Sequence, residues 1–312
     1  MHRIIDTALG AAALLGLGLA APANAQSRVF VAAQGSDSSP CTFAAPCRTF
    51  QRAHDIVAAN GEIDVLDPAG YGALTITKAI SIQGHGFSGI SAASGNAITI
   101  NAGANDDINL RGLLIDGVAT GTNGIAFSTG GSLNIQDTFV RNFASSGISF
   151  APSASSTLMV INTHLVANGS HGVSVFPTGP NSNIVSGTFE HVLTARNGGD
   201  GFFILGSTGL SMRFTIANST ISENAFHGIV AAGSNIQGVT QVTVRNSVVS
   251  NQKNGTGLLA NTSAFLRASG CTITANNVGV QALNGGAIES YSGNFLANLS
   301  SDGVWTVTVS LQ

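Results

Sequence analysis

Short runs of alternating apolar and polar residues recur along most of the chain, separated by turn-forming residues. Residues 158–161, 214–216 and 242–244 are examples, and they are rich in β-branched side chains. A period of two with β-branching is typical of half-buried strands. No recurring run carries an apolar stripe long enough for a core helix, so the repeating part of the chain is predicted to be all-β.

The strands belong to one repeated unit: strand, turn, second strand, an Asn, and then a Gly followed by an apolar residue. Intervals between successive markers run from 22 to 29 residues for Asn and for Gly alike. A unit of this length with two or three strands is too short for a propeller blade and fits one turn of a β-solenoid. About eight marked turns are predicted. The markers are Asn142, Asn168, Asn197, Asn224, Asn251, Asn276 and Asn298, and Gly124, Gly147, Gly172, Gly201, Gly228, Gly257, Gly279 and Gly303.

The segment before the repeats predicts a short amphipathic helix over residues 49–60. Its apolar residues fall at helical spacing, and Asn60-Gly61 is a suitable C-cap. Such a helix would cover the first turn, whose strand edges are otherwise exposed. We therefore predict a single right-handed parallel β-helix over residues 26–312, of which residues 26–62 form an N-terminal cap with a helix.

Residues 1–25 predict a signal peptide cleaved after Ala25. Arg3 is followed by an apolar run over residues 8–21 and by the small residues Ala23-Asn24-Ala25. The run is too short and too rich in Ala and Gly for a good membrane span, so the protein is not predicted to be transmembrane. A secreted or periplasmic protein is expected, and retention of the segment as an anchor is the alternative.

The charge of the chain is low and slightly negative. It has 12 Lys and Arg, 15 Asp and Glu, a net charge of -3 and 44% hydrophobic residues. A nucleic-acid partner is not expected, because phosphate binding needs a basic face. The hydrophobic content also argues against a disordered chain.

Two of the three cysteines, Cys41 and Cys47, are six residues apart, and export would favour a disulfide between them. Two free thiols or half of a metal site are the alternatives. Cys271 lies in a strand-like segment and is expected to be a buried thiol.

The N-terminal residues Gly35-Ser36-Asp37, Pro40-Cys41 and 46–50, and copies of the repeat such as residues 224–229, resemble the pectate-lyase-like superfamily of parallel β-helix proteins. The resemblance spans about residues 28–312 and implies a secreted bacterial protein. Many members are polysaccharide lyases or glycoside hydrolases, and others are adhesins or spike proteins. The catalytic motifs of pectate lyases have no match in this sequence, so the resemblance implies a fold and leaves the activity open.

Aligned residues of successive turns lie about 4.8 Å apart in a β-solenoid, so columns follow from the repeat. The residues before three consecutive marker Gly are His171, Asp200 and His227, a carboxylate between two imidazoles. Such a column is a candidate for general-base chemistry or for binding a metal ion. Arg196 and Glu223 lie on the same turns and are the other catalytic candidates. The alternative is a purely structural turn, since turns favour His, Asp and Asn.

Phe203 is the substrate-binding candidate, because Phe203, Val230 and Leu259 form an outward apolar strip on three consecutive turns. Asp116 and Asp137 are predicted to stack at matching turn positions as ladder residues. Glycoside hydrolysis or binding of a hard cation by the two carboxylates is the alternative. No cofactor is predicted, with Ca²⁺ at Asp106-Asp107 as the alternative.

Two functions of different classes follow from the sequence. The first is binding or processing of extracellular polysaccharide or a cell-surface glycan, as a lyase or hydrolase in its enzymatic form. The second is a non-catalytic structural or adhesive solenoid at the cell surface. The sequence alone does not decide whether the protein is an enzyme.

Overall fold

The computed structural model describes residues 26–179, 183–207, 209–234 and 238–309. The predicted signal peptide, residues 1–25, lies outside the described residues. One helix and thirty strands follow each other in this part of the chain. The first elements are β1 (Gln26–Val31), α1 (Phe50–Ile56), β2 (Val57–Val65), β3 (Ala69–Gly70), β4 (Leu74–Ile76), β5 (Ile80–Ser91), β6 (Ile98–Asn101) and β7 (Asp107–Asp116).

From β8 onward the turns become regular, and nearly all contribute three strands. They are β8 (Ile125–Thr129), β9 (Ser132–Gln136), β10 (Phe139–Arg141), β11 (Ile148–Phe150), β12 (Ser156–Ile161), β13 (His164–Val166), β14 (Val173–Val175), β15 (Ile184–Glu190), β16 (Leu193–Ala195), β17 (Phe202–Leu205), β18 (Ser211–Ala217), β19 (Thr220–Ser222), β20 (Ile229–Ala232), β21 (Val239–Arg245), β22 (Val248–Ser250), β23 (Thr256–Asn261), β24 (Phe265–Ser269), β25 (Thr272–Thr274), β26 (Val278–Leu283), β27 (Ala287–Ser290), β28 (Phe295–Ala297), β29 (Ser301–Gly303) and β30 (Val307–Thr308).

Each strand pairs in parallel with its equivalent in the next turn, as predicted for a parallel β-solenoid. One sheet, here called the front sheet, has ten strands in the order β4, β6, β8, β11, β14, β17, β20, β23, β26, β29. The second sheet has twenty strands and holds two stacks. Its long-strand face includes β9, β12, β15, β18, β21, β24 and β27, and its short-strand face includes β10, β13, β16, β19, β22, β25 and β28. The strands β5 and β7 run through both faces.

The inward residues of the three stacks meet in one continuous core. In β14 the pattern is Val173 and Val175 buried around a half-buried Ser174, which is the alternation expected of a strand with one face in a core. Aromatic rings stack from turn to turn, with Phe127 and Phe150 centroids 4.6 Å apart. Successive turns thus bury each other's apolar side chains, as a solenoid requires.

A ladder of buried amide side chains follows the corner between the short-strand face and the front sheet. Each side-chain oxygen accepts the backbone N–H of the equivalent residue one turn earlier, for example from Asn197 to Asn224 Oδ1 at 3.1 Å. From Asn197 onward, each side-chain nitrogen also donates to a backbone carbonyl, as Asn224 does to Thr194. Buried amides need such partners. The ladder comprises the buried Asn168, Asn197, Asn224, Gln252 and Asn276 and ends at the half-buried Asn298.

Two of the predicted Asn markers are wrong by one residue. Asn142 and Asn251 lie just before the ladder, with positive φ of 58° and 57°, and the ladder positions are Phe143 and Gln252. Asparagine tolerates left-handed backbone, so it is suited to the corner as well as to the ladder. The residue type alone therefore did not distinguish the left-handed corner position from the ladder position.

Most of the marker glycines form a column because no side chain fits there. A Cβ on Gly201 would lie 2.7 Å from the carbonyl oxygen of Gly228, and one on Gly228 would lie 2.6 Å from that of Gly257. The turns stack too closely for any larger residue. Gly303 was wrong as a marker, because it lies opposite Val280 and not opposite Gly279.

The N-terminal region contains the predicted helix in a shorter form. The helix α1 ends at Ile56, and Val57 is already extended, with φ −63° and ψ 143°. The prediction of an end at Asn60 was wrong, because Val57 is buried and opens β2, which pairs with β1. Asn60 and Gly61 lie within β2. Strand pairing here outweighs local helix-forming tendency.

The cysteines behave as predicted. Cys41 and Cys47 form a disulfide with their Cα atoms 4.6 Å apart, and Cys271 is a buried free thiol. Burial raises the pKa of the Cys271 thiol. Its backbone position is that of Ser219 and Ser247 in earlier turns, whose hydroxyls donate to a carbonyl two residues back, as the Cys271 thiol does.

Candidate functional site

The residues His171, Asp200 and His227 lie in one column, at the corner where the chain enters three consecutive strands of the front sheet. His171 Nδ1 is 3.2 Å from Asp200 Oδ2. Asp200 Oδ1 accepts the backbone N–H of His227 at 2.8 Å. Asp200 is 6% exposed, and the two imidazoles are half-buried. The structure therefore brings the three predicted residues together, although Asp200 contacts the side chain of His171 and only the backbone of His227.

The column also connects successive turns. Nδ1 of His171 accepts the N–H of Asp200 at 3.1 Å, and Nδ1 of His227 accepts the N–H of Thr256 at 2.9 Å. Asn123 does the same for Ser146 with its side-chain oxygen. Each side chain therefore satisfies a backbone donor of the next turn, which accounts for polar residues at this position.

These hydrogen bonds determine what the His227 ring offers at the surface. A neutral imidazole that accepts at Nδ1 carries its proton at Nε2. His227 thus presents an N–H donor at Nε2, and not the lone pair that a general base needs. The His171 ring differs, because its Nδ1 faces both an amide donor and the Asp200 carboxylate.

Phe203 lies beside the column. Its ring stacks on that of His171, with centroids 4.8 Å apart and planes at 12°. Val230 and Leu259 follow Phe203 in register on the next two strands, so the three residues align as predicted. Val230 and Leu259 are only 5% and 6% exposed and form a small apolar cluster with Ala232, against which Phe203 packs. The strip is therefore separate from the main core and largely covered.

The structure sets Arg196 and Glu223 apart from the column. Both lie on the far side of the buried amide ladder, exposed and with φ of 55° and 57°. They share a corner position with Ala167 and Ala275. Among the interactions of the described residues, none joins Arg196 or Glu223 to the three column residues.

Asp116 and Asp137 do not stack on each other, so that prediction was wrong. Asp116 ends β7 opposite Arg141, whereas Asp137 lies at the corner between β9 and β10. Their ion-pair partners also differ: Asp116 pairs with Arg141 at 2.7 Å, and Asp137 with Arg111 at 3.1 Å. Asp116 and Asp137 each follow a predicted strand in the sequence, but because the turns differ in length the two residues lie at different corners.

The sequence interpretation missed a surface on the short-strand face, here called the Phe139 patch. It consists of Leu114, Asp116, Phe139, Arg141 and His164, which point outward from β7, β10 and β13. Leu114 and Phe139 lie in register, as do Asp116 and Arg141. Its signal in the sequence was the outward pair Phe139 and Arg141, two residues apart on one strand.

Two further properties bear on possible ligands. Within the described residues, no three His, Cys, Asp or Glu side chains gather as a group able to hold a metal ion. No helix in that part of the chain is long and apolar enough to cross a membrane.

No family model and no curated protein matches the sequence. Solved structures do match. An alginate lyase from Paenibacillus sp. str. FPU-7 has a TM-score of 0.59 and 13% identity, over 88% of this chain and 99% of that one. The pectate lyase Pel9A has a TM-score of 0.57 and 13% identity, over 90% of this chain and 78% of that one. XylC, solved with xylose, has a TM-score of 0.53 and 10% identity, over 86% of this chain and 68% of that one.

These likenesses establish the class of fold. The chain is a parallel β-helix of the kind found in pectate lyases, which confirms the fold implied by the repeat and the N-terminal residues. At 10–13% identity they show the fold alone, and function has to be argued from the site.

Proposed function

We propose that this protein is an exported β-helix that binds polysaccharide at the front sheet, beside Phe203 and the His171–Asp200–His227 column. The stacked Phe203 and His171 rings carry the proposal. A pyranose ring has an apolar face of C–H groups and a rim of hydroxyls. Aromatic rings next to a few fixed polar groups suit such a ligand. His227 contributes a donor at Nε2, and the Asp200 carboxylate holds the backbone between the rings.

The structural neighbours support the same class of ligand. Two of them are named for lyases of pectate and alginate, and a third was solved with xylose. Export belongs to the proposal because disulfides such as Cys41–Cys47 persist in oxidising compartments, and because residues 1–25 predict a signal peptide.

Helix α1 acts in this proposal as the N-terminal cap of the coil. The strand β4 is the edge of the front sheet, and its open side faces α1. Gln51 Oε1 accepts the N–H of Thr75 at 2.8 Å, and His54 Nε2 accepts that of Thr77 at 3.1 Å. Side chains of α1 thus take the place of a neighbouring strand, which protects the edge from pairing with other chains.

The second candidate function is a structural or adhesive solenoid without a glycan site. The observation in its favour is Asn123, which fills the same column and makes the same hydrogen bond to the next turn as His227 does. In this view His and Asp are only alternative turn residues.

Binding measurements separate the two. We expect the protein to bind at least one of pectin, alginate and xylan in isothermal titration, and Phe203→Ala to weaken that binding roughly tenfold by removing the stacking surface. Phe43→Ala is the matched control, because Phe43 is a 69% exposed phenylalanine in the N-terminal region. If none of the three polymers binds, or if the Phe203 and control variants bind alike, the proposed site is wrong.

The same preparations decide whether binding is accompanied by catalysis. Unsaturated products and new reducing ends are measured with and without Ca²⁺, in the wild type and in His227→Asn. Asparagine can still accept the Thr256 N–H, as Asn123 does for Ser146, so this variant removes the imidazole and keeps the turn. Cleavage by the wild type that is lost in His227→Asn would assign a reaction to the column.

A further inference from the structure

The Phe139 patch combines an aromatic ring with an oriented ion pair on an open surface. Arg141 lies with its guanidinium carbon 5.7 Å from the centroid of the Phe139 ring, and its Nε donates to Asp116 Oδ2 at 2.7 Å. His164 meets Phe139 edge-on, with ring centroids 5.6 Å apart. Leu114 is 44% exposed beside Phe139. Exposed apolar side chains that are grouped and rimmed by polar residues are typical of binding surfaces.

The polar groups of the patch are held in place. Asp116 Oδ1 accepts the N–H of Val118 and an N–H of Asn142 in addition to its bond with Arg141. Burial works to raise the pKa of Asp116, but these hydrogen bonds outweigh it and the pKa is lowered. The carboxylate is therefore ionised and fixed, and it fixes Arg141 through Nε. The remaining guanidinium N–H groups of Arg141 are donors that this bond does not use.

The surface around Phe139 is grooved on both sides. A cavity of about 270 Å³ lies between Leu114, Asp116, Phe139 and Arg141. A second, of about 220 Å³, lies between Phe139, Asp137 and His164. Each is somewhat smaller than the ~300 Å³ at which ligand pockets usually begin. Each can therefore take one ring of a chain ligand, and the Phe139 side chain separates the two.

The charges in the patch cancel. Asp116 is paired with Arg141 and Asp137 with Arg111. Further along the short-strand face the outward residues of β16, β19, β22 and β25 are uncharged, with Leu193, Thr220, Val248 and Thr272 in register with His164. Such a patch offers an anionic polymer little net attraction, because Arg141 and Arg111 are each already paired with a carboxylate.

We propose that the Phe139 patch is a second glycan-binding site and that its ligand is an uncharged polysaccharide, with successive sugar rings on the two sides of Phe139. The apolar face of a ring packs on Phe139 and Leu114. Its hydroxyls accept from Arg141 and donate to Asp116. This goes beyond the function proposed for the front sheet, because the patch lies on a different face and uses none of its residues.

The test compares two phenylalanines in the same column of outward positions. Phe139 lies on β10, and Phe295 lies on β28, 61% exposed and in register with the uncharged Thr272. Titration with soluble β-glucan, which carries no charge, is expected to give roughly tenfold weaker binding for Phe139→Ala and wild-type binding for Phe295→Ala. Binding should change less than about twofold between low and high salt, because it involves no net charge.

Phe139→Leu is measured alongside, because it keeps apolar bulk if the Ala variant does not fold, and should weaken binding in the same direction. Phe203→Ala separates the two sites: it leaves neutral-glycan binding at Phe139 in place, whether or not the front sheet binds anything. The proposal is overturned if the wild type binds no uncharged glycan. It is also overturned if Phe139→Leu binds like the wild type, or if binding requires a uronate polymer.

Discussion

At the scale of single residues, the buried amide ladder shows most directly how the sequence determines the stack. Asn224 Oδ1 accepts both the backbone N–H and the side-chain N–H of Asn197, at 3.1 and 2.9 Å, and Asn224 Nδ2 donates to Thr194. Asn224 is fully buried. An alanine there would leave two donors and one carbonyl without partners and without water.

We therefore expect Asn224→Ala to lower the free energy of unfolding by about 3 kcal/mol. The matched control is Asn251→Ala. Asn251 is exposed at the left-handed corner, where Ala167 and Ala275 already occupy the equivalent position with φ of 55° and 57°, and a loss below about 1 kcal/mol is expected. Urea denaturation of both variants measures the difference, and equal losses would contradict the assignment of the ladder.

The same pair of residues shows what the sequence could and could not predict at this scale. Asn224 and Asn251 are the same residue type, and both fall near the repeat interval of the marker Asn. The side chain of Asn224 nevertheless points inward, and that of Asn251 points outward. The one-residue offset at Asn142 and Asn251 depends on the backbone of the corner, which bends differently from turn to turn. Phe203 is comparable: its outward position followed from alternation, but its stacking on His171 depends on how the corner directs the imidazole.

At the scale of elements, strands were more predictable than the helix. Alternating β-branched residues locate β18 and β21 because each strand has one face in the core. The end of α1 was not predictable from local spacing, since Val57 joins a strand whose partners, β1 and β5, are distant in the sequence. Long-range pairing therefore overrode a local C-cap signal.

Helix α1 also carries a pH-sensitive contact. His54 is buried, and its Nε2 accepts the N–H of Thr77. Burial lowers the pKa of His54 below its ordinary value of 6.5, against a smaller opposing effect of Asp55. Because the unfolded chain takes up this proton at a higher pH, the stability from His54 is complete above about pH 6.5 and declines as the pH falls toward the lowered value.

We expect the free energy of unfolding to fall less steeply below about pH 6.5 in His54→Gln than in the wild type, because glutamine takes up no proton there. Denaturation at several pH values between about 5 and 7.5 measures the slopes. His191→Gln, which replaces an imidazole 62% exposed on its side chain, is the control. Parallel curves for the wild type and His54→Gln would show that the Thr77 contact does not depend on a neutral imidazole.

At the scale of the whole molecule, the repeat determines a stack of turns and thereby creates aligned columns for structural reasons. The His171–Asp200–His227 column illustrates both aspects: its nitrogen and oxygen atoms satisfy backbone donors of neighbouring turns, and its rings lie at the surface beside Phe203. Parallel stacking was predictable because each turn can bury its apolar residues only against the next. The right-handed sense of the coil stays a prediction from the sequence.

The distribution of charge over the molecule explains why the two proposed surfaces need not bind the same polymer. The Phe139 patch is neutralised by its ion pairs. The front-sheet column holds one buried carboxylate and two imidazoles, and it borders an apolar cluster. A single long polysaccharide could not contact both surfaces along one line, because they lie on different stacks of strands.

The most direct test of the central claim is a structure of the protein with an oligosaccharide of the tightest-binding polymer, because it shows where the ligand lies. The account predicts a sugar ring in van der Waals contact with Phe203 and a sugar oxygen within hydrogen-bond distance of His227 Nε2. An oligosaccharide bound elsewhere, with the front sheet empty at saturating ligand, would contradict it.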